Sequence, residues 1–213
     1  GRMNLVNGSL LRLILAQISI HACMTGMRMA TPLLALREGY SPAAVGVLLA
    51  LFALTQVFLS LPAGRYADRH GLKRPLAISV VAASLGAGLA VIFPMYPVLC
   101  LAALLSGGAS GAAIIALQRH VGREAHDKVT LRKVFSWLAI GPAVSNFLGP
   151  FMAGLLIDYA GGEAASTTGF RAAFLLMALL PLSAWLWVRT VPEHASEPPP
   201  SSPRSGTAWD MLQ

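Results

Sequence analysis

Charge is scarce in this chain. Only 12% of its 213 residues are Asp, Glu, Lys or Arg, and the acids number nine. Soluble domains carry about 25% charged residues, so this chain cannot clothe a water-exposed globule. The basic excess, a formal net charge of +7, does not indicate nucleic acid, because the bases sit in short segments between apolar tracts instead of on one soluble face. Cysteine is equally sparse. Cys23 and Cys100 both fall in apolar tracts, which excludes a disulfide framework and makes them small buried hydrophobes. The sequence has no Ser/His/Asp constellation, no H-E-x-x-H helix and no nucleotide loop, so neither enzymatic chemistry nor a cofactor is expected. Period-2 alternation is missing too, which excludes the strands of a membrane barrel.

What the chain has in abundance is apolar sequence, 55% of all residues, in runs that match the ~20 residues a bilayer core requires. Six spans are expected, over about 10–36, 43–63, 75–93, 97–117, 134–157 and 170–188. The fold class is therefore an all-α membrane protein. Its connections alternate in character. Arg37 to Ser41, Pro94 to Pro97 and Asp158 to Gly169 are almost free of Lys and Arg. The other two connections are basic: one carries Arg65, Arg69, Lys73 and Arg74, the other Arg119, Arg123, Lys128, Arg132 and Lys133. Basic short loops stay in the cytoplasm, and an even number of spans then puts both termini there. Residues 1–9 read as a cytoplasmic amino terminus and 10–190 as the membrane bundle. Residues 191–213, rich in Pro, Ser and Glu, read as a disordered cytoplasmic linker that breaks off as an amphipathic segment begins at Trp209.

Between spans two and three stands G-x-x-x-D-R-x-G-x-K-R, formed by Gly64, Asp68, Arg69, Gly71, Lys73 and Arg74. This resembles the signature loop of the major facilitator superfamily, although Leu72 departs from the basic residue common at its position. Gly149, Pro150 and Gly154 on span five resemble the Gly-Pro motif of the superfamily's exporters. Span four has the glycine-rich stretch Gly107 to Gly111 but lacks the arginine that precedes it in many members, which weakens the case for proton coupling by that route. The resemblance covers the six-span region and implies the amino-terminal half of a secondary transporter, working by alternating access against a second six-helix half. It implies proton-coupled export of a small organic solute across a bacterial inner membrane. It also implies that Asp68 meets the positive end of a helix in that other half. The lipid bilayer, a small-molecule substrate, protons and the second half are the expected partners.

On span one, Gln17, His21, Met24, Arg28 and Thr31 recur at intervals of four, three, four and three, which places them on one helical face. Arginine at mid-membrane costs at least ~2.5–3.5 kcal/mol, so this face should meet a water-filled cavity or a counter-charge. Arg28 reads as an anion-binding or coupling residue, against the alternative that it reaches outward to headgroups. His21 reads equally as a protonatable group or a satisfied interior histidine. Gln56 on span two and Asn146 on span five could add hydrogen bonds to a cavity, or only to helix packing. His21, Cys23, Met24, Met27 and Met29 also raise copper transport, but Cys23 and Met29 point away from the shared face. A six-span scaffold without transport is the alternative from another class; its basic loops would serve topology and anionic lipid.

Overall fold

The computed structural model describes residues 2–124, 127–160 and 167–192, with side chains from Gly8 onward. The expected linker lies outside the described residues from position 193 on. Six helices run in order: α1 (Arg2–Arg37), α2 (Pro42–His70), α3 (Lys73–Ile92), α4 (Tyr96–Glu124), α5 (Lys128–Tyr159) and α6 (Thr168–Val188). Each is long and apolar enough to cross a membrane. Among the described residues there is no strand.

The helices outrun their apolar segments, and this corrects the reading of the basic connections as loops. α2 continues seven residues past the expected span end at Ala63, to His70, so that Gly64, Asp68 and Arg69 are helical and the turn shrinks to Gly71 and Leu72. Gly71 adopts φ 77°, a region that costs other residues a Cβ clash, and its N–H caps α2 on the Ala67 carbonyl. Arg119 and Arg123 likewise ride on α4, and Lys128, Arg132 and Lys133 on α5. Charged residues extend a helix beyond the hydrocarbon readily, because water can satisfy the last carbonyls there. The apolar pattern alone therefore marks the membrane-embedded length, not the helix end.

The helices form two layers. In the front layer the order is α2, α4, α1, α5; α3 and α6 lie behind, α3 against α4 and α6 against α1. The two halves of the chain repeat one scheme: α2 packs on α4 as α5 packs on α1, and α3 packs on α4 as α6 packs on α1. The first three-helix unit begins at one membrane face and the second at the other, which gives this arrangement an inverted sense.

Close approach rather than large side chains holds the front layer together. A Cβ on Gly107 would lie 2.1 Å from the Phe52 carbonyl oxygen of α2, and one on Gly149 would lie 2.5 Å from the Ala22 carbonyl oxygen of α1. Small residues at such crossings let helix backbones touch where lipid offers no hydrophobic drive. Polar groups then bond across the seams. Thr55 Oγ1 donates to the Leu104 carbonyl at 2.9 Å, and Thr25 Oγ1 to the Ser145 carbonyl at 2.9 Å. Ser145 Oγ donates to the carbonyls of Gly141 and Ile18 at 2.8 and 3.2 Å.

The apolar core is divided into two clusters along the membrane normal. One contains Met24, Leu34, Phe52, Leu99 and Phe174. The other contains Ile20, Leu72, Leu76, Leu117 and Val188. The division falls at His21 and Ser110. At the end away from the basic residues Tyr40 stacks on Tyr96 with centroids 4.7 Å apart, and the Tyr96 hydroxyl donates to the Ala44 carbonyl at 2.9 Å. This ties the turn before α2 to the turn before α4.

Gly107→Ala should cost about 1–3 kcal/mol through overpacking of α2 on α4. Gly88→Ala, where a Cβ meets nothing within 4 Å, should be neutral or slightly stabilising. Unfolding of the two variants in detergent, followed by helical circular dichroism, reads the difference; equal midpoints would reject backbone contact as the basis of the seam.

Candidate functional site

Two groups of polar residues stand out, one at the basic end of the bundle and one in its middle. At the basic end, Gly64 and Asp68 are separated by four residues and share the face of α2 turned to α4. The space left by the missing Gly64 side chain is occupied by Arg119: a Cβ there would sit 3.1 Å from Arg119 Nη2. From that position Arg119 Nη1 donates to Asp68 Oδ2 at 2.8 Å, and Arg123 Nη1 stands 4.0 Å from Asp68 Oδ1. The G-x-x-x-D spacing thus has a physical purpose, since the glycine gives the arginine its path across α2 and the aspartate receives it one turn further on. The resemblance sent Asp68 to a helix outside this half; within it, the partners are the α4 arginines. A signal for this was present in the sequence, because Arg119 and Arg123 also lie four apart and fall at the same membrane level.

The rest of the motif is engaged at the same end. Lys73 Nζ donates to the Arg189 carbonyl at 3.1 Å, where a cation meets the negative end of α6. Arg12 of α1 binds the adjoining Thr190 hydroxyl. Arg74 Nη1 lies 3.1 Å from His70 Nδ1, and His70 packs on Tyr66. Arg69 is exposed and also has a partner.

In the middle, the expected face of α1 is split by its surroundings. Gln17, His21, Met24 and Thr31 are buried inside the half, whereas Arg28 is exposed. Gln17 packs against Gly141 of α5, and Met24 belongs to the apolar core. Thr31 Oγ1 returns to the Met27 carbonyl at 2.8 Å. His21 Nδ1 lies 2.8 Å from Ser110 Oγ of α4. The side chains of Asn146 on α5, itself exposed, and of Arg28 are near enough to the His21 ring to act on its charge. His21, Arg28 and Asn146 are therefore one cluster spanning α1 and α5. Gln56 of α2 is half-buried against Gly111 and stands apart from it. Ser110 is the residue that sequence reasoning passed over; its only advance signal was Ser106 one turn away on the same face. Cys23 and Met27, raised for copper, are packed in the core, and among the described residues no three His, Cys, Asp or Glu side chains converge to hold a metal.

The Gly-Pro motif serves the α1–α5 seam. Gly149 makes the backbone contact described above, while Gly154 only reaches Met29 at an ordinary 3.7 Å. Pro150 cannot donate the helical hydrogen bond to the Asn146 carbonyl, and Pro32 leaves the Arg28 carbonyl in the same condition. Both prolines lie one turn beyond an exposed member of the cluster.

Comparison with known proteins decides the family. The profile of the Major Facilitator Superfamily matches residues 13–211. The chain belongs to the Major Facilitator Superfamily. It is also 33% identical over 146 residues, 68% of its length, to the class B tetracycline resistance protein of Escherichia coli. That stretch is 34% of the relative, so the chain spans about a third of the curated relative it matches. Six apolar helices in this family make it an integral multi-pass membrane protein, in contact with bilayer lipid and belonging to a family of transporters rather than enzymes.

The Asp68–Arg119 tie should be weak as a source of stability, because both side chains are about half exposed (49% and 52%). Asp68→Asn and Arg119→Gln should each change unfolding stability by less than about 1 kcal/mol. The double variant should match Asp68→Asn, which already removes the contacts to both Arg119 and Arg123. A double-mutant cycle measured by denaturant titration checks this; strict additivity would show that the two residues do not interact.

Proposed function

We propose that the protein is half of a secondary transporter that exports a small organic solute by alternating access, driven by proton entry. The observation that carries this is the front layer. α2 and α5 flank it with apolar side chains exposed on many sides, among them Val57, Phe58 and Leu61 on α2 and Phe147 and Phe151 on α5. In the centre of that layer lies the polar cluster of Arg28, His21 and Asn146. A polar patch at mid-depth is unstable against lipid, but it suits a solute path between this half and a second six-helix half. Alternating access then rocks the two halves about that path.

Export is favoured by the likeness to a tetracycline resistance protein and by the Gly149-Pro150 motif. Protons are the proposed coupling ion, with His21 as the titrating group of the cluster. The basic ends of the helices favour a cytoplasmic side for Asp68, Arg119 and both termini, in a bacterial inner membrane. There the Gly64–Arg119–Asp68 tie joins the ends of α2 and α4, so that they move as one body when the cytoplasmic side opens.

Everted membrane vesicles containing the full chain test this reading. With a proton gradient reported by an acridine dye, adding a transported solute from a panel that includes tetracycline should partly collapse the gradient. Asp68→Asn should slow that response about tenfold, equivalent to about 1.4 kcal/mol at the barrier, with an unchanged amount of protein in the membrane. No response to any solute would overturn proton-coupled export.

A further inference from the structure

We infer that the central cluster recognises an organic anion, a solute that carries a carboxylate or sulfonate, and this rests on the transport reading above. The argument begins with where the acids are. Among the described residues the acids are Glu38, Asp68, Glu124, Asp127 and Asp158, and each lies at or near a helix end. Among the described residues, the membrane interior of this half therefore contains no carboxylate, while it does contain a guanidinium. Arg28 is nine residues from the end of α1 at Arg37, about 13 Å at 1.5 Å per residue. It is exposed on the half, so no side chain of this half covers its charge.

The groups around it have the character of a donor set. Asn146 supplies an amide and His21 a ring that is anchored through Nδ1 to Ser110. An arginine fork matches the geometry of a carboxylate or sulfonate through two parallel hydrogen bonds. A cationic solute would meet repulsion from Arg28 with no acid of this half to offset it. Two backbone carbonyls, those of Arg28 and Asn146, lose their helical donors to Pro32 and Pro150. They offer neutral acceptors beside the cationic group, suited to a hydroxyl or amide elsewhere on the same solute.

The test uses the full chain, purified and reconstituted in zwitterionic lipid, with probes matched in shape and opposite in charge. Suitable pairs are 1-naphthalenesulfonate with 1-naphthyltrimethylammonium, and benzoate with benzyltrimethylammonium. Binding is measured by calorimetry and flux by counterflow. The anions should bind and move in preference to the cations. Arg28→Gln should weaken anion binding about tenfold or more, Arg28→Lys should retain much of it, and Asn146→Asp should weaken it without altering buried packing. If Arg28→Gln proves misfolded on size-exclusion, the exposed Asn146→Asp carries the test alone. Preference for the cations, with transport intact, overturns this inference and leaves the transport reading standing. Anion binding that ignores both substitutions overturns it as well, and so does binding abolished by added phosphatidylglycerol, which would assign the charge of Arg28 to lipid headgroups. If no probe of either charge binds or moves, the inference fails; if solutes of the vesicle panel also fail to move protons, the transport reading fails with it.

Discussion

Backbone contact at Gly107 and Gly149 sets the spacing of the four front helices, and most of what is distinctive in this protein depends on that spacing. A bilayer removes the hydrophobic drive between helices, so association has to come from close packing and from hydrogen bonds across the seam. Where α2 meets α4 the Phe52 carbonyl occupies the place of a side chain, and where α5 meets α1 the Ala22 carbonyl does so. Only at such distances can short side chains such as Thr55, Thr25 and Ser145 reach carbonyls of the neighbouring helix. The same two seams carry the two polar groups of the protein, the ion pair at the end of α2–α4 and the Asn146 side of the cluster on α1–α5.

The ion pair and the seam divide their duties by depth. At the basic end water screens charge, and an exposed pair such as Asp68–Arg119 adds little stability. Its geometry is nonetheless constrained, because the guanidinium threads the space above Gly64. The contact is weak but directional, and it aligns the ends of α2 and α4 at small energetic cost. In the interior the balance reverses. A hydrogen bond such as His21–Ser110 lies between the two apolar clusters with both partners buried, so it is suited to hold α1 against α4.

Much of this fold was legible in the sequence, since long apolar runs and basic punctuation determine helix number and membrane path. The helix ends were not, because hydropathy reports the hydrocarbon boundary whereas α2 runs on to His70. The partner of Asp68 was not legible either, because the ion pair spans 51 positions of chain and periodicity describes one helix at a time. For the polar face of α1 the spacing gave the shared direction of Gln17, His21, Met24, Arg28 and Thr31. It could not show that the neighbouring helices close over four of them and leave Arg28 outside. Which part of a helical face is covered depends on how its neighbours diverge along the membrane normal, a property of crossing angles and not of a single helix.

That divergence gives the protein its electrical asymmetry. Charges of both signs gather at the basic end, where Asp68 faces Arg119 and Arg123. Further in, the front layer carries the permanent charge of Arg28, and no acid among the described residues accompanies it. An uncompensated guanidinium at that depth is costly by several kcal/mol unless water or an anion reaches it. The energy that would stabilise the empty half is therefore lower than what a counter-charge could supply on arrival. A solute that brings that counter-charge does more than fill a space: it removes a destabilising term from the state it binds. In the proposed transport reading, it would favour an arrangement that closes around Arg28 over one that leaves it wet. Differential affinity of this kind is what a ligand needs to shift a conformational equilibrium, and here it arises from the charge that the rest of the interior lacks.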